Sequence, residues 1–408
     1  MTINIEKTIG NFKYFLLFIY ILLVYIYGGN SYYTIAYKIP MFIFLALEGI
    51  KMVKRGKIEI TNNIKVLYIF SFYLFVTSFW AIDSSYAVTT SKTVFLLTTF
   101  LLVSYNFIYY QKDSQNKLLN IIMYAGLLFS LYVIFYYGLY KYFNMLFQGI
   151  RIGEEIDNVN SIGFKTSITY MICLYFALNT NKKYYYLFCI LPLIVSIGTG
   201  SRKVLVILLF GSLLLILFKS DKKNIKNILK KVLLVTLFLI ILYYIVELFA
   251  DASVFKRLEG LLNGIFGSGK ADASTIERKK FIQYGMMQFK ETPILGIGAG
   301  NSGYVTMKAA GWFTYLHNNY VELLATTGII GFLLYYYNYY YLLKNIFKVK
   351  NLNRNLQKIR VLIISMLIIL LILDYGMVSY YNKSIYIYFL IGLIFLKNRG
   401  ELGVQKDN

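Results

Sequence analysis

The sequence predicts an all-α polytopic membrane protein, and three observations carry that prediction. Hydrophobic residues make up 58% of the 408 and charged residues only 15%, whereas soluble domains carry about 25% charge. Apolar runs close to the ~20 residues needed to cross a bilayer recur along most of the chain. Lys and Arg raise the formal charge to +23, but they gather in short stretches between the runs, as a topology signal does. That placement argues against nucleic acid as a partner. We expect a single integral membrane domain over residues 1–408.

About twelve spans follow in order, near 12–28, 34–52, 64–82, 88–110, 119–140, 161–179, 184–199, 203–218, 232–250, 318–342, 360–378 and 384–397. The first run, Phe12–Tyr27, lacks a small-residue cleavage site and is expected to stay as a helix. The basic stretches 51–65, 111–117, 180–183, 219–231 and 343–360 fall on one side when the spans alternate. They are assigned to the cytoplasm, with both termini. The outer side then receives 29–33, 83–87, 141–160, 200–202, 251–317 and 374–383, of which 251–317 is the long loop. Cys173 and Cys189 lie in apolar stretches and read as small buried hydrophobes.

The chemistry is expected on the outer side. Arg151 opens a polar segment that ends at Asn160, before the sixth span. Gly198-Thr199-Gly200-Ser201-Arg202-Lys203 is a tight turn between spans seven and eight. Arg202 and Lys203 break the positive-inside pattern there. Two such cations alone read as snorkelling side chains on lipid phosphates; a further arginine in the long loop brings an anion site into competition. Ser274-Thr275-Ile276-Glu277 is a capping box for a helix ending before Pro293. On it, Arg278 shares a face with Phe281, Ile282, Gly285 and Phe289, opposite Lys279, Gln283 and Lys290. Its planar fork suits a phosphate, and an ion pair with Asp251 or Glu277 is the simpler alternative.

Gly296, Gly298, Gly300 and Gly303 then suggest a flexible loop with free backbone N–H groups. His317 is the only histidine. Asn319 and Glu322 are expected to cap the tenth span, with His317 one turn ahead at the outer interface. An imidazole titrating near ~6.5 suits proton transfer there. Glu155-Ile156-Asp157 is an acid-x-acid pair able to hold a divalent ion, although a solvated loop is the better reading.

The stretch Pro293–Asn301, followed by His317-Asn318-Asn319-Tyr320-Val321-Glu322 and on to Gly331, resembles the core of the O-antigen ligase and polymerase superfamily. Gly200-Ser201-Arg202 and Arg278 match its two arginine positions, and Arg151 and Asn160 resemble its upstream Arg and Asn. The resemblance covers residues 150–340. It implies a GT-C-like helical membrane glycosyltransferase in the bacterial cytoplasmic membrane, with its active site on the extracytoplasmic side. A saccharide carried on undecaprenyl diphosphate would pass to an acceptor without metal or cofactor. Arg202, Arg278 and Lys203 would hold the donor diphosphate, and His317 would orient or deprotonate the acceptor hydroxyl. Arg151, Asn160, Asn318 and Glu322 would support them. Partners implied are the lipid-linked oligosaccharide, the bilayer, a chain-length regulator and a flippase.

The resemblance admits two activities. A polymerase joins lipid-linked repeat units into O antigen or capsule. A ligase transfers the finished glycan to lipid A-core in lipopolysaccharide assembly. The polymerase is preferred, because such chains diverge with their own repeat unit and this one matches little outside the core. A transporter or flippase shares the twelve-span layout, but it would place its polar groups at mid-bilayer.

Overall fold

The computed structural model describes residues 2–29, 32–111, 113–148, 150–217, 233, 273–350 and 352–404. Every regular element among them is helical. In order these are α1 (Thr2–Tyr27), α2 (Thr34–Arg55), α3 (Asn62–Val76), α4 (Ser84–Tyr109), α5 (Ser114–Tyr137), α6 (Leu139–Phe147), α7 (Val159–Asn179) and α8 (Tyr184–Gly198). Next, α9 (Arg202–Leu205) continues through a π-helical turn, Val206–Gly211, into α10 (Ser212–Leu217). The remainder are α11 (Ala273–Glu291), α12 (Ser302–Ala310), α13 (Asn319–Lys348), α14 (Arg354–Leu373) and α15 (Lys383–Val404). Helices thus stand at eleven of the expected spans. The ninth, 232–250, and the start of the long loop, 251–272, lie outside the described residues apart from Leu233. By length and composition, six described helices can cross a membrane: Lys7–Tyr27, Ser84–Tyr109, Ser114–Tyr137, Val159–Asn179, Asn319–Lys348 and Arg354–Leu373.

The chain forms two compact units. The first comprises Met1–Phe44, Asn116–Lys270 and Asn351–Ile369, and the second comprises Leu45–Gln115, Ala271–Lys350 and Leu370–Asn408.

In the first unit α7 is buried along nearly its whole length. Burial of apolar area cannot drive helices together in lipid, so small residues and interhelical hydrogen bonds do. Thr166 and Ser196 share a hydrogen bond of 2.7 Å between their hydroxyls, tying α7 to α8. The free cysteines Cys173 and Cys189 are buried in the same pair of helices. Lys165, inside α7, donates to Asp157 Oδ2 and to the Tyr25 carbonyl, both at 2.9 Å. The side chains of that pair are only 5% and 6% exposed. Glu155 is exposed, as a solvated loop would have it, whereas the Asp157 carboxylate neutralises a buried ammonium. A second correction concerns residues 141–160. Gly138 (φ 76) ends α5, and α6 follows, with Tyr142 buried and donating to the Ile194 carbonyl at 3.3 Å. A helix of nine residues is too short to register as a span.

The second unit is organised by a break in α13. At Gly328 the backbone turns to φ 62, ψ −168, and a Cβ there would overlap the Ile294 carbonyl oxygen. Only glycine fits this close approach in the left-handed region. The break diverts the Ile329 N–H from α13 to the Pro293 carbonyl, at 2.9 Å. The carbonyls freed upstream are met from outside the helix. Ile297 N donates to Ala325 O at 3.2 Å and Gly298 N to Thr326 O at 2.9 Å. The Tyr73 hydroxyl donates to Thr327 O at 2.8 Å. Ala299 N donates to Thr77 Oγ1 at 3.0 Å. The glycine-rich stretch is thus a buried plug that satisfies a broken helix, and its N–H groups are not free. Buried backbone polar groups require such partners.

Candidate active site

In the first unit the tight turn draws together residues far apart in sequence. Helix α8 ends at Gly198, Gly200 takes φ 61, and α9 starts at Arg202. Ile152 N donates to Gly198 O at 2.9 Å, and Arg151 Nε donates to Thr199 O at 3.1 Å. Ser201 Oγ donates to Asn160 Oδ1 at 2.8 Å, from the first turn of α7. Arg151 and Asn160 therefore brace the turn on both sides. Arg202 is placed by its backbone, and Lys203 is half-buried. Glu154 stands 3.6 Å from Arg151 but is 66% exposed, so that ion pair is weak.

In the second unit α11 lies with Phe281 and Gly285 buried, while Lys279, Gln283 and Lys290 are exposed. Phe281 packs in a cluster with Leu316, Val321 and Ala325, which seats the helix against the start of α13. Arg278 sits one turn before Phe281. The His317 ring stacks on Phe281 with centroids 6.0 Å apart and planes 6° apart, and it lies 4.0 Å from the Tyr315 ring. The Arg278 charge also acts on Tyr315, the other ring against His317. Glu277 does not serve Arg278 alone, since its Oε1 accepts the Trp312 indole N–H at 2.8 Å; Asp251 lies outside the described residues.

The cap of α13 differs from the expectation. Asn318, not Asn319, is the N-cap, and its side chain accepts the Val321 N–H at 3.1 Å. Glu322 bypasses the cap and accepts the Leu316 N–H at 2.9 Å. Asn319 is taken up elsewhere. Its backbone N–H donates to the Asp374 carbonyl at 2.7 Å, and its side-chain oxygen accepts Ser379 N at 2.8 Å. The short segment between Leu316 and Asn318 is so constrained that His317 holds φ 55. For a residue with a Cβ this left-handed backbone costs about 1–2 kcal/mol.

Sequence reasoning missed two groups. Tyr315 contacts His317, and burial pushes its phenol up, an effect the Arg278 charge offsets. With 41 tyrosines in the chain, nothing in composition singles it out. Asp374 is buried between α14 and α15, and its Oδ2 accepts the Tyr336 hydroxyl at 2.8 Å. Desolvation pushes its carboxyl up to about 7, against hydrogen bonds from Ser379, Tyr336 and Asn319. An isolated acid in a polar gap carries no pattern that would reveal this.

The order Arg202, Arg278, His317, with the plug and cap between and after them, falls within one recognised segment. Residues 187–336 match the family described as O-Antigen ligase. Over this segment the chain is similar to the O-antigen ligase/polymerase superfamily. The O-antigen ligase segment includes Lys203, Asn318 and Glu322 and leaves out Arg151 and Asn160. Members of the superfamily are membrane glycosyltransferase-like enzymes, and the apolar helices here agree with a multi-pass membrane protein. No curated protein matches the chain.

Proposed function

We propose that the chain polymerises undecaprenyl-diphosphate-linked oligosaccharide repeat units into O antigen or capsule at the outer face of the bacterial cytoplasmic membrane. Its twelve spans place both termini in the cytoplasm. The supporting observation is that Arg278 lies one turn before Phe281, on whose ring His317 stacks. A polyprenyl-diphosphate sugar needs a cation for its leaving group and a base for its acceptor, and these two residues offer both. As the sugar C1–oxygen bond breaks, the diphosphate gains one negative charge. Arg202, Arg278 and Lys203 stabilise that charge, and their bidentate or point contacts strengthen as it develops. The acceptor hydroxyl oxygen forms the new bond to C1, and its proton passes to His317. Proton transfer of this kind contributes ~10²–10⁴-fold. Arg151 and Asn160 act through the turn they brace, as positioning residues. Asn318 and Glu322 do the same for His317. The reaction uses no metal.

The reading is tested by deleting the gene and extracting lipid-linked saccharides. Accumulation of single repeat units supports polymerisation. Accumulation of long lipid-linked polymer makes the chain a ligase and overturns the proposal.

A further inference from the structure

The second unit carries an open cavity of about 340 Å³, within the range of about 300–1,000 Å³ for small-molecule sites. One wall is a face of α4 carrying Tyr86, Thr89, Thr90 and Thr93 at helical spacing. Ser302, Phe313 and Thr314 form another, and Tyr315, Tyr381 and Glu322 complete it. Eight of its twelve lining residues carry a hydroxyl, and none is a Lys or Arg. A wall with one carboxylate and no cation disfavours an anion. What it fits is a neutral ligand with many hydroxyls and some apolar surface.

We infer that this cavity is a saccharide subsite that seats the acceptor sugar beside His317. Glu322 is 1% exposed. Its known partners are the Leu316 N–H and Ser302, and a carboxylate has about four acceptor sites. Acceptor capacity therefore remains for a sugar hydroxyl. Thr93 donates to the Thr89 carbonyl at 2.9 Å, so its hydroxyl oxygen can act toward a ligand only as an acceptor. The Phe313 ring, stacked with Tyr86 at 6.5 Å and 27°, supplies a π-face for the weakly positive C–H face of a pyranose. Tyr315 belongs to the cavity and also lies against His317. A sugar held here presents a hydroxyl on the side of the proposed base. The inference deepens the reading above, since it names the acceptor end and its chemistry.

The test uses purified full-length chain in nanodiscs. The probe is a set of oligosaccharides made by mild acid depolymerisation of the surface polysaccharide from the same cells, free of lipid and diphosphate. Binding is read by saturation-transfer NMR. We expect transfer to ring protons with the wild type. The variant Thr89→Val/Thr90→Val/Thr93→Val should bind at least about tenfold more weakly, as expected for the loss of roughly two neutral hydrogen bonds. If that variant does not fold, Phe313→Ala replaces it, with the same expected loss. Absence of transfer with the wild type, or equal binding by a folded variant, overturns the subsite. His317→Asn should still bind the probe. If His317→Asn binds the probe and also keeps full transferase activity, the catalytic reading fails while the subsite stands.

Discussion

The Glu322 carboxylate accepts the Leu316 backbone N–H at 2.9 Å, so the first turn of α13 sets the path of the backbone that carries His317. Leu316 is fully buried. Glu322→Ala leaves its N–H unpaired, at a cost of about 1–3 kcal/mol. Glu322→Gln keeps an acceptor and should cost less. Thermal unfolding in detergent checks the order: wild type, then Gln, then Ala. Equal midpoints for Gln and Ala would refute the assignment.

His317 holds φ 55, a region in which Asn is several-fold enriched among non-glycine residues. His317→Asn should therefore fold as well as the wild type while losing the imidazole, and transfer should fall ~10²–10⁴-fold. His317→Ala should also lose transfer and be about 1 kcal/mol less stable than His317→Gly. Thermal midpoints for the set, measured beside transfer rates, separate backbone from ring.

Gly328→Ala should abolish folded protein. Its Cβ would meet backbone atoms of Ile294 and Leu295, which cannot rotate away, in addition to the cost of its positive φ. Size-exclusion profiles of a fluorescent fusion report it. A monodisperse peak at wild-type yield would show that the break in α13 is not required.

Asp374 predicts a pH dependence of stability. An ordinary Asp titrates near ~3.9, and burial holds this one at about 7. Between these values the folded chain keeps a proton that the unfolded chain has released. Its contribution is therefore most favourable below pH ~4 and declines as pH rises toward 7. Asp374→Asn should remove this decline, so the variant gains on the wild type from pH 5 to pH 8. Parallel melting curves across that range would place the carboxyl at an ordinary value.

Much of the fold was legible because apolar length acts locally. The face of α11 could be read from Phe281 and Gly285, since helical spacing alone decides which residues share a side. Three features could not. Gly296 and Gly298 look like punctuation of a flexible loop, yet Ile297 and Gly298 donate to α13 carbonyls that the break at Gly328, about thirty residues later, leaves open. Asp157 looks solvated until Lys165 appears one helical face away and buried. Asn319 begins a plausible capping box, yet Asp374, Ser379 and Tyr380 compete for it and leave the cap to Asn318. In each case a long-range partner overrode a local pattern. The candidate site residues were named from the resemblance and from polar exceptions to the apolar pattern, and the structure sets His317 against Phe281 and Tyr315. Tyr315 and the threonine face of α4 were not legible, because hydroxyl and aromatic residues are abundant everywhere in this chain.

The proposed transfer from a diphosphate donor gives Arg202, Arg278 and His317 each a role. It is tested most directly by reconstitution in liposomes with purified lipid-linked repeat units, followed by gel separation of the glycans formed. The wild type should build a ladder of increasing length. Arg202→Ala and Arg278→Ala, each removing charge stabilisation of the leaving group, should reduce it ~10²–10³-fold, as should His317→Asn through the proton it no longer accepts. A wild-type ladder from any one of the three would contradict the account.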